Sequence, residues 1–135
     1  MDARDPASAI RSYHAHVYFR DPEERGRALQ LRAWIDAGFS VQLGRVHDVP
    51  VGPHSQPMYQ VAFAADTFAA FVPFLLLNRL ELSVLVHPNT GRALDDHLVH
   101  ALWLGERLPV RGEVLSNEER SAVTSPIEPN TAAAR

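Results

Sequence analysis

The sequence predicts an α+β domain built on one antiparallel sheet. Two observations carry this. Apolar and polar residues alternate in three separate stretches, 12–19 (SYHAHVYF), 58–64 (MYQVAFA) and 81–87 (ELSVLVH). Between them lie two stretches with helical spacing, each opened by an aspartate, Asp21 and Asp66.

The elements follow in order. Residues 12–19 read as the first strand. Asp21 then caps, Pro22 suits the first helical position and Glu24 completes a capping-box-like pattern. Ala28, Leu31, Trp34 and Ile35 share one helical face, and Gly38 is a stop signal. Residues 39–46 (FSVQLGRV) read as a second strand, and 47–57, with Pro50, Gly52, Pro53 and Pro57, as a loop. Residues 58–64 form the third strand. Asp66 opens a second helix with Phe68, Phe71, Val72 and Leu75 at helical spacing, which Pro73 should kink or break. Residues 81–87 form the fourth strand, followed by a Pro88-Asn89-Thr90-Gly91 turn signal. Residues 100–106 (HALWLGE) read as a closing segment.

Strand, helix, strand, strand, helix, strand is the ferredoxin-like βαββαβ arrangement, with both helices on one face of the sheet. The other face is bare in a single copy. Pairing two sheets into a dimeric α/β barrel is the expected remedy, so a homodimer is expected.

The 135 residues suffice for one domain with a real core. The expected organisation is a flexible N-terminus over 1–11, the folded domain over 12–115 and a flexible tail over 116–135 (SNEERSAVTSPIEPNTAAAR). There is no cysteine, which excludes disulfides, thiolate nucleophiles and cysteine metal sites. Any metal is left to nitrogen and oxygen ligands. All 13 basic residues are arginine, so lysine Schiff-base chemistry is excluded too. The net charge of −3, with no basic run, argues against nucleic acid and anionic membranes as partners. No apolar stretch approaches the ~18 residues of a membrane span. The opening MDARDPASAIRSY carries no apolar signal-peptide core, so the expected location is cytoplasmic.

Strand alternation separates the two faces. Tyr13, Ala15, Val17 and Phe19 point one way, with Tyr59, Val61, Phe63, Leu82, Val84 and Val86, under the helices. The opposite face collects His14, His16, Tyr18, Gln60, Ser83 and His87. Imidazoles, a phenol, an amide and a hydroxyl suit a ligand or metal cavity better than a solvated surface. The first and fourth strands are antiparallel neighbours in this topology, so His14 and His87 can sit side by side, with His16 about 6–7 Å along. Such a set can hold a divalent metal facially and leave positions open. The plainer reading is that strand histidines are structural and hydrogen-bonded. His54, in a loop, is either an exposed surface residue or a lid or substrate contact. His97 either helps close the site or sits with His100 on a solvated helical face. His47 reads as surface. Tyr18 is either a proton donor or barrel packing.

YHAHVYF, GPHSQPMYQVAF, and LSVLVHPNTG followed by DDHLVHALWLGE occur in this order and spacing. Together they resemble the DOPA 4,5-dioxygenase family of fungi and bacteria over about residues 13–108. The resemblance implies a ferredoxin-like fold and an extradiol dioxygenase. Such an enzyme binds a small catechol to non-haem Fe(II), activates O₂ and cleaves the ring beside its two hydroxyls. It carries over as functional candidates His14 and His16 (HAH), His54 (GPH), His87 (HP) and His97 (DH). From the shared face and the motifs together, His14, His16 and His87 are the expected metal ligands. His54 and His97 are the expected acid/base or substrate-positioning groups, and Tyr18, Gln60 and Ser83 the expected substrate contacts. Zinc or nickel can replace iron during purification. The usual facial set has two histidines and a carboxylate. Glu81 lies about 20 Å from His87 along an extended strand, so three histidines or a carboxylate from elsewhere are required. The alternatives are a non-enzymatic dimeric α/β-barrel module that binds a small aromatic ligand, and a cofactor-independent enzyme with one histidine as base.

Overall fold

The structure, a computed structural model, describes residues 5–118. The expected tail lies outside the described residues beyond Glu118, as do the first four residues of the expected flexible N-terminus. Within 5–11, Ala7–Ala9 form a 3-10 turn, and the Arg11 amide bonds the Asn89 carbonyl at 2.8 Å.

Strand β1 (Ser12–Tyr18) leads into helix α1 (Pro22–Gly38), then strands β2 (Gln42–Leu43) and β3 (Met58–Phe63), helix α2 (Phe68–Asn78), strand β4 (Val84–Asn89), helix α3 (Ala93–Leu98) and strand β5 (Leu102–Leu104). The sheet order is β2-β3-β1-β4-β5, and every pairing is antiparallel. The first four strands thus stand in the ferredoxin-like order, and β5 is added outside β4.

Asp21 caps α1 by accepting the Glu24 amide at 2.8 Å. The Glu24 carboxylate reaches one residue further back than a capping box requires and takes the Arg20 amide at 2.9 Å. Ala28, Leu31 and Ile35 are buried against the sheet, whereas Trp34 is 40% exposed and not part of the core. Helix α2 is preceded by a 3-10 turn at Ala65–Thr67, so Asp66 lies in that turn and does not cap the helix. Pro73 sits inside α2 without ending it, because it faces solvent and the Ala69 carbonyl it leaves without a helical donor is on the exposed side.

Two strands differ from expectation. Only Gln42 and Leu43 of residues 39–46 pair with β3; the rest packs as irregular chain on the core. Strand β4 is displaced C-terminally. Leu80 and Glu81 adopt φ of 55° and 65°, a left-handed reversal that ends before the strand begins. Glu81 is exposed there and precedes the strand. At the other end Pro88 and Asn89 continue the strand, and the turn falls at Gly91, whose φ is 97°.

One core fills the space between the sheet and helices α1 and α2, with Val17, Leu31, Tyr59, Val61, Phe71 and Val84 at its centre. The opposite face is not bare. Loop 47–57, α3 and the segment after β5 fold across it, and a second apolar cluster forms from Tyr18, Met58, Leu85 and Leu108. The face expected to need a second copy is covered by this chain itself.

Candidate metal centre

Register places the side chains of the site. His14 stands opposite His87 on β4 and opposite Ala62 on β3, while His16 stands opposite Gln60 and Leu85. Because β1 alternates, His14, His16 and Tyr18 rise from one face, and His87 meets them from the next strand. The loop and α3 then bring His54 and His97 over the top. All five imidazoles are buried. Ring centroids lie 5.2 Å apart for His14 and His87, 5.1 Å for His16 and His87, 4.2 Å for His16 and His54, and 4.0 Å for His87 and His97.

Outer partners fix the rings. His87 Nδ1 donates to the Pro88 carbonyl at 2.9 Å and His97 Nδ1 to the Ala93 carbonyl at 2.7 Å. A carbonyl only accepts, so both rings carry their proton on Nδ1 and a lone pair on Nε2. His54 Nδ1 bonds the Tyr18 hydroxyl at 2.7 Å, and His14 Nδ1 bonds the Gln60 amide at 3.1 Å. His16 Nε2 faces His87 Nε2 at 3.1 Å, and since the latter is a lone pair, His16 donates there. The other nitrogen of His16, Nδ1, is buried without a partner.

This arrangement fits a metal ion. Nitrogens 3.1 Å apart match two adjacent ligands on one ion at ~2.1 Å, and a cation there would replace the hydrogen they share. Carbonyl acceptors behind ligating histidines fix tautomer and orientation in metal sites generally. Among the described residues, two three-histidine sets have ligand nitrogens all within 4.8 Å of one another: His14, His16 and His87, and His16, His54 and His97. Each is all imidazole, a donor set that suits iron, zinc, copper or nickel over magnesium or calcium.

Burial, followed by the neighbouring imidazoles, pushes His16 and His87 well below the ordinary histidine range. Burial takes His54 down to about 3 and lowers His97 as well. Neutral imidazole is the form that binds metal, so the burial prepares the ligands. Burial also raises Tyr18, which keeps its hydroxyl protonated beside His54.

The remaining site candidates are placed as follows. Gln60 lies in the cluster against His14. Tyr18 bridges inward to His54 and stacks on Trp103 at 5.9 Å. Ser83 precedes β4 and lines a small polar recess with Tyr18, Arg20, Gln56 and Glu106; its carbonyl takes the Tyr18 amide at 3.1 Å. His54 is buried and not a surface residue, because its loop is pinned to the C-terminal segment. The Arg111 amide bonds the Pro53 carbonyl at 2.8 Å, and Ser55 Oγ bonds the Pro109 carbonyl at 3.0 Å. His47, expected at the surface, is buried as well, while His100 is exposed beyond the end of α3.

Asp96 is a residue whose role sequence reasoning does not find. Its carboxylate grips Thr90. Oδ2 accepts the Thr90 amide at 2.9 Å and Oδ1 the Thr90 hydroxyl at 2.7 Å. This clamp closes the turn between β4 and α3 and so sets His97 over His87. The six-residue return from Thr90 to Asp96 is the only sequence signal for it.

Residues 13–114, which contain every imidazole of the cluster, fit the pattern of the Dopa 4,5-dioxygenase family. The chain belongs to that family. A DOPA 4,5-dioxygenase of Amanita muscaria is 37% identical over 111 residues, covering 76% of this chain and 49% of that protein. An uncharacterised 21.2 kDa protein of Botryotinia fuckeliana is 39% identical over 115 residues, covering 76% of this chain and 63% of its own length. This Dopa 4,5-dioxygenase family chain thus spans about half to two-thirds of these curated relatives. A crystal structure of a candidate dioxygenase from Nostoc punctiforme superposes with a TM-score of 0.80 at 48% identity, covering 82% of this chain and 96% of that one.

Proposed function

We propose that this chain is a non-haem Fe(II)-dependent extradiol dioxygenase that opens the ring of a small catechol. The observation that carries the reading is the buried trio His14, His16 and His87, with two Nε2 atoms facing each other at 3.1 Å. Those three residues would hold the ion. Bound there, ferrous iron supplies the positions at which a catecholate and O₂ meet. Three histidines take the place of the usual two histidines and a carboxylate. Neither candidate carboxylate competes, since Glu81 is exposed and both Asp96 oxygens are engaged by Thr90.

The protein's own part is proton handling. His54 and His97 come from the segments that cover the sheet face, loop 47–57 and α3, the side from which a substrate would reach the cluster. When the Tyr18 hydroxyl accepts from His54 Nδ1, His54 Nε2 carries a lone pair and can take a proton, and the imidazolium so formed can return it. Burial makes His54 a poor base by itself; the negative charge of a catecholate beside it offsets that. His97 Nε2, its proton held at Nδ1 by Ala93, acts as a second acceptor. Gln60 and Tyr18 orient the rings of His14 and His54 and border the bound substrate, and Ser83 contacts its outer end from the polar recess.

Protein purified without oxygen and reconstituted with iron should consume O₂ when offered a panel of catechols. An absence of both divalent metal binding and catechol-dependent uptake would overturn the reading.

A further inference from the structure

His16 belongs to both three-histidine sets. The first set pairs it with His14 and His87, the second with His54 and His97. The His16 ring stands 6.2 Å from His14 and 4.2 Å from His54, centroid to centroid.

We propose that His16, His54 and His97 form a second cation position, which takes a late first-row divalent ion such as Zn²⁺ or Ni²⁺ in competition with the first. The proposal rests on the reading of the first set as the iron position only for what the second set competes with. Three observations support it. The donors are three imidazoles with no carboxylate, the softness that such ions favour. His54 and His97 are held from behind at Nδ1 by Tyr18 and Ala93, as ligating histidines are, which directs Nε2 of each toward the cluster. His16 is buried with one nitrogen that no protein group satisfies. A neutral imidazole has one lone pair, so an ion at either position takes His16 from the other. The chain therefore holds one ion at a time, in one of two places. An ion in the second place occupies the two histidines assigned to proton transfer.

Titration of the metal-free protein with Zn²⁺, followed by calorimetry and with competing Ni²⁺, tests this without recourse to activity. His14→Gln breaks only the first set, His54→Gln only the second, and His16→Gln both. Circular dichroism checks that each folds; His87→Gln and His97→Gln break the same sets and replace a variant that does not. The expected result is one ion per chain in the wild type, with binding weakened about tenfold or less by His14→Gln and by His54→Gln, and by 100-fold or more by His16→Gln. If His14→Gln binds as poorly as His16→Gln, the second position does not exist. If the wild type takes two ions, the competition is wrong. If His54→Gln alone matches His16→Gln, the second position stands and the first set, with the iron reading built on it, fails.

Discussion

His16 and His87, on neighbouring strands, meet nitrogen to nitrogen at 3.1 Å in the interior of a single chain. The hydrogen they share satisfies one nitrogen of His16 and leaves the other without a partner. A buried polar atom in that condition costs about 1–3 kcal/mol. Replacing His16 by leucine removes that orphan but leaves His87 Nε2 without its donor. The two effects oppose each other, so the metal-free His16→Leu protein is expected to lie within about 1 kcal/mol of wild type, while metal binding is lost. Denaturant melts of both proteins after chelation check this. A loss of several kcal/mol would mean that His16 is a structural hydrogen-bonding residue.

Acid should loosen the metal-free fold. The folded chain keeps His16, His54, His87 and His97 neutral below their ordinary range, whereas the unfolded chain protonates them below about pH 6.5. The unfolded state then binds more protons, and stability falls as pH falls, by about 1.4 kcal/mol per pH unit for each histidine held neutral. The slope begins near pH 6.5, and the His54 share ends near pH 3, where its folded form protonates. Above pH 7 these groups are neutral in both states and add no slope. Urea melts between pH 4 and 8 measure it, and saturating zinc, which binds the neutral rings, should raise stability at pH 7 more than at pH 5.

Tyr18→Phe removes the hydroxyl bonded to His54 Nδ1 and little else, since the ring still stacks on Trp103. Turnover is expected to fall about 100-fold, with metal affinity at the first set unchanged and stability lower by about 1 kcal/mol. Steady-state oxygen uptake and a metal titration on the same preparation separate the two effects. Equal losses of both would tie Tyr18 to the metal and not to proton handling.

Every residue of the cluster comes from one chain, and the covering segments do too. Metal affinity should therefore be independent of protein concentration over a range that spans any association of two copies. Titrations at low and high micromolar protein, with sedimentation to count copies, check this. A Kd that weakens on dilution would place part of the site in a partner.

The alternation of Tyr13–Phe19 and the match of His14 with His87 are legible in the sequence, because a strand's faces follow from a period of two and the topology fixes which strands meet. The cover over the histidine face is not. The Arg111 amide on the Pro53 carbonyl and the Ser55 hydroxyl on the Pro109 carbonyl bring His54 inward by joining segments more than fifty residues apart, and no local pattern encodes those bonds. Residues 81–87 mislead for a different reason. Their alternation is real, but the left-handed pair Leu80 and Glu81 starts the strand later, and Pro88 reads as a breaker although it still lies in β4. Strand β5 is only three residues long, too short for periodicity to reveal.

The most direct measurement is an anomalous-scattering map at the iron edge from crystals grown and soaked with Fe(II) without oxygen. One peak is expected, within bonding distance of nitrogens from His14, His16 and His87. A peak away from the imidazole cluster, or none at full iron loading, would contradict the account.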